Sequence, residues 1–294
     1  MLDQVIDSRS RDLGGGFVVG RLLPSAMRRM VGPFVFFDHM GPMQIAPGQN
    51  VDVRPHPHIG LSTVTYLFDG EMLHRDSLGY IQVIRPGEVN WMTAGRGIVH
   101  SERMPAEMKA HGGAEHGLQS WVALPVELEE IDPAFAHHPA SDLPILESPG
   151  VWARLIAGEA YGLSNSVKTH SPTFYLHTEL QPGARIALPS GHSERAAFIV
   201  SGRVRHEGEG YDAGHMLVFA RGGEPVIEAE TAARVMLLGG EPLGPRLVWW
   251  NLVSSRPDRI EQAKVDWKAG RFAMPPDDNV EFIPLPEDPP GAHP

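Results

Sequence analysis

Arg54-Pro55-His56-Pro57-His58-Ile59-Gly60 and, further on, Gly95-Arg96-Gly97-Ile98-Val99-His100-Ser101-Glu102 decide how this chain is read. Each stretch carries two metal-ligating side chains at i, i+2, which a β-strand places on one face. Two such strands facing one interior would offer three imidazoles and one carboxylate, a first shell for a divalent transition metal with room left for substrate or oxygen. The chain has 15 histidines, so an isolated His-x-His pair carries little weight. Two ligand pairs, each set among strand-forming residues punctuated by Gly and Pro, carry much more.

Working outward, the same punctuation recurs along the whole chain. There are 32 glycines and 27 prolines in 294 residues, spread between short apolar runs, without the period of a fibrous protein. They read as turns between many short strands. In the first half, strands are predicted at 17–23, 60–67, 80–84, 89–93 and 119–124. In the second half, after Val151, they are predicted at 152–156, 174–180, 185–188, 196–200, 216–219 and 235–238. Phe68-Asp69-Gly70-Glu71 and Arg85-Pro86-Gly87-Glu88 are turn signals, Asp-Gly suiting positive φ and Pro-Gly a tight reversal. Residues 125–149 are acidic and Pro-rich and read as a connection between two β-domains of similar size, a divergent internal duplication. His137 and His138 within it are expected to be exposed linker side chains.

One helix stands out, at about 256–268. Ser255 is placed to cap it, Pro257 lies in its first turn and Gly270 stops it. Ile260, Ala263, Lys264 and Trp267 share a face, which predicts that the apolar members pack onto a sheet. The tail beyond it, ending in Pro289-Pro290, has little with which to build a core.

Composition narrows the function. With 25 basic and 36 acidic residues the formal charge is −11, which argues against direct nucleic-acid binding. Cysteine is absent, which excludes disulfides, thiolate metal sites and Cys nucleophiles. No apolar stretch suits a membrane span, and Met1-Leu2-Asp3-Gln4 lacks the basic start of a signal peptide, so a cytoplasmic location is expected.

The chain resembles the pirin family of the cupin superfamily. The resemblance rests on Phe34-Val35-Phe36-Phe37-Asp38-His39-Met40-Gly41-Pro42, on the two ligand stretches, on Gly239-Gly240-Glu241-Pro242 and on Asn251-Leu252-Val253-Ser254-Ser255, in that order over nearly the whole length. It implies an all-β bicupin, two tandem antiparallel jelly-roll-like β-sandwich barrels with a C-terminal helix. The barrels would span 1–138, with the metal, and 139–294, without a complete site. It carries the family's four metal ligands onto His56, His58, His100 and Glu102. Against the general cupin pattern Thr63 stands where a Glu ligand is usual, and Glu102 supplies the carboxylate instead, as in pirins. In the second half His192-Ser193-Glu194 is the only echo of the first pair, with no second pair to complete it.

Two functions follow from the resemblance. The first is a quercetin 2,3-dioxygenase-like enzyme that cleaves a planar flavonol with O2 at one divalent metal per chain. Fe(II) is the expected ion, and Mn, Co, Ni, Cu and Zn are compatible with the donors. Glu102 would then serve as ligand and as catalytic base. The second is a metal- or redox-responsive regulator that binds a protein partner without turnover. Around the site, Asp38 and His39 either orient a ligand or form a buried polar pair that caps a turn, and Phe34, Phe36, Phe37 and Met43 either line an aromatic pocket or fill the core. Trp249-Trp250 is expected as core between the domains.

Overall fold

The computed structural model describes residues 1–14 and 16–287, so the Pro289-Pro290 tail lies outside the described residues. The chain forms two antiparallel barrels, each built from one large and one small sheet, and the fold is a bicupin. In the first barrel a seven-stranded sheet runs in the order 134–138, 89–93, 61–69, 113–123, 34–45, 18–23, 9–12. Facing it is a four-stranded sheet of Val53–His58, Ile98–Arg103, Met72–Asp76 and Ile81–Ile84. The second barrel repeats the plan, with a large sheet through Val151–Ala160, Thr173–Leu180, Glu194–Ser201, His215–Phe219 and Ala233–Gly240, and a small four-stranded one.

The two large sheets share one core. Phe34, Phe37, Tyr66 and Leu118 of the first barrel are buried in one cluster with Tyr175, Phe198, Met236 and Leu238 of the second. Phe37 meets Phe198 edge-on at 5.4 Å, and Phe34 meets Tyr175 at 5.3 Å. Aromatic edges of this kind add directional attraction to the burial of apolar area, so the barrels are held as one unit.

The division we propose, 1–138 and 139–294, is crossed at both ends of the chain. Leu2–Asp7 pairs with His215–Phe219 in the second barrel. At the other end, Leu252 bridges to Ile59, and Val253 N–H donates to the Ile59 carbonyl at 3.2 Å. The expected linker is not free chain. Ala134–His138 closes the edge of the first large sheet against Val89–Thr93, and Ile145–Ser148 joins the second against Val151–Ala160. His137 and His138 are therefore half-buried strand residues rather than exposed linker, and the His137 ring meets Asn90 Oδ1 at 2.8 Å.

The helix is Pro257–Lys268 and buries Ile260, Ala263, Lys264 and Trp267, the face the sequence predicts. Its N-cap is Arg256, with no side-chain cap. Ser255 does not cap because its hydroxyl and its N–H both donate to Glu129. Glu129 in turn lies 2.9 Å from Arg246 Nε, the two side chains 5% and 1% exposed. That N–H is not directed at the carboxylate, so the pair is a Coulombic contact rather than an aligned hydrogen bond. This buried clamp fixes the returning C-terminal segment against the first barrel.

Candidate metal centre

Pairing of Val53–His58 with Ile98–Arg103 sets His56 opposite His100 and His58 opposite Ile98. Alternation then turns His56, His58 and His100 into the barrel, where one ligand atom from each lies within 4.8 Å of the others. All three are buried, at 5%, 1% and 1% exposure. His56 Nδ1 donates to the Arg54 carbonyl and His58 Nδ1 to the Asn251 carbonyl, each at 2.9 Å. A carbonyl only accepts, so both rings carry their proton on Nδ1 and present an Nε2 lone pair. His58 Nε2 and His100 Nε2 stand 3.1 Å apart, and His100 Nδ1 is buried without a partner.

Burial drives every one of these imidazoles toward the neutral form that a metal requires. His56 is lowered to about 4, chiefly by desolvation, and His58 and His100 lie well below the ordinary value for the same reason, with neighbouring histidines adding to it. Converging neutral Nε2 donors, two of them oriented by backbone carbonyls, fit a divalent transition metal.

The fourth expected ligand is not gathered into this group. Glu102 follows a register shift in the strand and its Oε1 accepts from Gln119 Nε2 at 2.7 Å, while Gln119 Oε1 accepts from Thr65 at 2.7 Å. Glu102 faces the same cavity as His56 and His58. It is only partly exposed there, and burial, helped by the charge of Glu115, raises its carboxyl to about 7 against the opposing hydrogen bond of Gln119. Glu115, also on the cavity wall, is raised by burial to about 7.

The cavity holds about 410 Å³. Phe36 and Trp121 stack on its wall at 3.9 Å and 11°, and Trp121 meets the His58 ring edge-on at 5.0 Å. Arg21 lies over Phe36 and grips Asp38 with two bonds of 2.8 and 2.7 Å. Asp38 thus lines the cavity but bonds no ligand, and His39 points elsewhere, to His116. Phe34 and Phe37 belong to the core between the barrels, Phe36 alone of the aromatic trio reaches the cavity, and Met43 packs beside it on the cluster of Met40 and Val51. Trp250 lines the cavity with Asn251 and Ile283, which corrects its expected place between the domains. Trp249 packs on the helix, under Lys264.

Sequence reasoning missed His74. Its ring lies 5.4 Å from His100, stacks on Phe135 and bonds Asp76 at 2.9 Å. The signal was a third i, i+2 pair, His74-x-Asp76, on the strand paired with Ile98–Arg103. In the second barrel, Glu194 accepts the Gly32 N–H at 2.7 Å and pairs with Arg28, fastening the barrels together. Among the described residues, His56, His58 and His100 form the one metal-competent group found.

Comparison with known proteins agrees with this architecture. The Pirin family model matches residues 16–122, and that of the Pirin C-terminal cupin domain matches 175–273. A pirin-like protein of Caulobacter vibrioides is 58% identical, over 98% of this chain and 100% of its own. A crystal structure of quercetin 2,3-dioxygenase from Acinetobacter baumannii superposes with a TM-score of 0.90 at 36% identity, covering 99% of this chain and 97% of that one. A bacterial pirin of Escherichia coli, solved in complex with nickel(II), shares the fold with a TM-score of 0.65 at 19% identity, over 81% of this chain and 99% of its own. With two barrels, one buried histidine cluster and relatives matched end to end, this chain belongs to the pirin family.

Proposed function

We propose that the chain is a metal-dependent dioxygenase of the pirin type that cleaves flavonols such as quercetin with O2. In this reading His56, His58, His100 and Glu102 hold one divalent transition metal, Fe(II) first among the ions these donors accept, in a cytoplasmic protein. The observation that carries the reading is the opening of the histidine cluster onto a cavity of about 410 Å³ walled by the stacked Phe36 and Trp121. Such walls take a flat aromatic ring, and polar groups converging at one end fix its orientation.

The metal supplies Lewis acidity to the substrate's 3-oxyanion and a place for O2 chemistry. The chain's own residues do the rest. Trp121, resting on the His58 ring, sets the plane of an entering flavonol beside the ligands. Glu102, on the cavity wall beside His56 and His58, receives the proton of the 3-hydroxyl. Gln119, tethered by Thr65, aims that carboxylate. Both atoms of O2 would enter the opened product and one ring carbon would leave as carbon monoxide.

The test is Glu102→Gln, which keeps size and an oxygen donor but removes basicity. Flavonol-dependent O2 uptake should fall about 10²- to 10⁴-fold with metal largely retained. Activity loss that tracks metal loss and returns with excess metal would reduce Glu102 to a ligand. If metal-loaded wild-type protein consumes no O2 with any flavonol while its binding to a protein partner changes with metal oxidation state, the enzyme reading fails and the regulator takes its place.

A further inference from the structure

Glu115 is a buried carboxyl that the fold leaves unanswered. It is 4% exposed, yet among the described residues its carboxylate accepts no hydrogen bond and joins no ion pair. The other buried carboxylates of the first barrel are satisfied: Asp38 by Arg21, Asp76 by His74 and the N–H groups of Leu78 and Tyr80, Glu129 by Ser254 and Ser255. The Glu115 oxygens open onto the cavity rather than being sealed in the core, so a ligand that enters must either bond them or cover them bare.

Its direction is defined by the strand. On Gly113–Ala123, Gln119 and Trp121 share one face by alternation, and across the register shift between Glu115 and Gly117 the strand still brings Glu115 to the same side. All three line the cavity of the histidine cluster. Trp121 offers a stacking surface, Gln119 is committed to Glu102, and Glu115 alone of the three has free acceptor capacity. The same wall carries Met40, Val51, Met72 and Met104, which offer no donor of their own. The two arginines on the cavity wall are already engaged, Arg21 by Asp38 and Arg103 by Asp278.

We propose that Glu115 is a specificity-determining residue that accepts a hydrogen bond from a substrate hydroxyl other than the one directed to the histidine cluster, so that the cavity selects polyhydroxylated aromatics over their deoxy analogues. This rests on the dioxygenase reading only for the orientation of the ligand. A hydrogen bond to a buried carboxyl discriminates because the analogue that lacks the hydroxyl leaves the acceptor bare.

The test compares metal-loaded wild type, Glu115→Leu and Glu115→Gln in equilibrium binding under anaerobic conditions, read by quenching of tryptophan fluorescence. The probes are quercetin and 3-hydroxyflavone, which keeps only the hydroxyl directed to the metal. Wild type should favour quercetin by about 10- to 100-fold. Glu115→Leu should bring the two probes to within about threefold, with metal content unchanged and with a raised melting temperature. Glu115→Gln, which keeps an acceptor without the charge, should fall between. A preference for quercetin that survives Glu115→Leu, or a melting temperature that falls in both variants, overturns the assignment. O2 uptake is scored separately. Loss of discrimination in a protein that never turns over a flavonol keeps the subsite and sinks the enzyme reading, and turnover with unchanged discrimination does the reverse.

Discussion

Replacing Glu129 with Ala should unsettle both the fold and the metal, although Glu129 touches no ligand. Its carboxylate lies against the Arg246 guanidinium, 1% exposed, and accepts from Ser254 Oγ, Ser255 N–H and Ser255 Oγ at 2.9 to 3.1 Å. Truncation leaves the guanidinium buried with only the carbonyls of Leu124, Leu243 and Pro245 for partners. Breaking a buried pair from one side costs about 3–5 kcal/mol, most of it the penalty of the uncompensated charge. The consequence reaches the site along the chain, because Asn251, whose carbonyl receives the His58 Nδ1–H, lies just ahead of the clamped Ser254. Loss of such an orienting partner lowers metal affinity by about 10- to 100-fold. Urea unfolding of the metal-free protein reads the first effect, and competitive metal titration with a chromophoric chelator reads the second. A destabilisation below about 1 kcal/mol with unchanged metal affinity would refute the argument that the clamp positions Asn251.

Other consequences can be checked in parallel. His39 is lowered to about 4, first by burial and then by His116 and Arg234, so the unfolded chain binds the proton more readily than the folded one. Stability should therefore be full above the ordinary histidine range and fall as pH drops from about 6.5 toward 4, by at most about 3 kcal/mol from His39. His39→Gln should reduce the slope of that stretch of the stability–pH curve measured by urea titration, leaving the part due to the other histidines lowered by burial. Arg103→Ala removes the bidentate grip on Asp278 and the bond to Glu281, which hold the stretch leading to Ile283 at the cavity. Limited proteolysis should then cut within residues 272–283 at least about tenfold faster, as expected for a net loss of 1.5–3 kcal/mol. Chelation should lower the melting temperature while the far-ultraviolet circular dichroism stays that of the β-fold, since both barrels keep their apolar clusters without metal.

Much of the centre was legible because strands alternate. His56 and His58 had to share a face, and so did His100 and Glu102 up to the register shift between them, which a sequence pattern does not reveal. The turn signals and the Pro257–Lys268 helix were legible for similar local reasons. What stayed hidden came from distant pairing. Asn251 and Trp250 reach the site only because the chain returns from the second barrel to bridge Leu252 with Ile59. The exchange of Leu2–Asp7 into the second barrel has no local signature. Glu115 stayed hidden because the predicted strand began at Gln119 and because a register shift between Glu115 and Gly117 separates it from the alternation of Gln119 and Trp121. The Pro-rich look of residues 125–149 concealed two edge strands, because edges tolerate proline and charge that a central strand excludes.

The central claim is that one metal sits in the first barrel on His56, His58 and His100. Elemental analysis of the purified chain beside its His56→Ala, His100→Ala and His192→Ala variants tests it most directly. The account predicts one equivalent of transition metal in wild type, most of it lost in the first two variants with the fold intact, and none lost in the third. Two equivalents in wild type with one lost in His192→Ala, or full metal retained in His100→Ala, would contradict it.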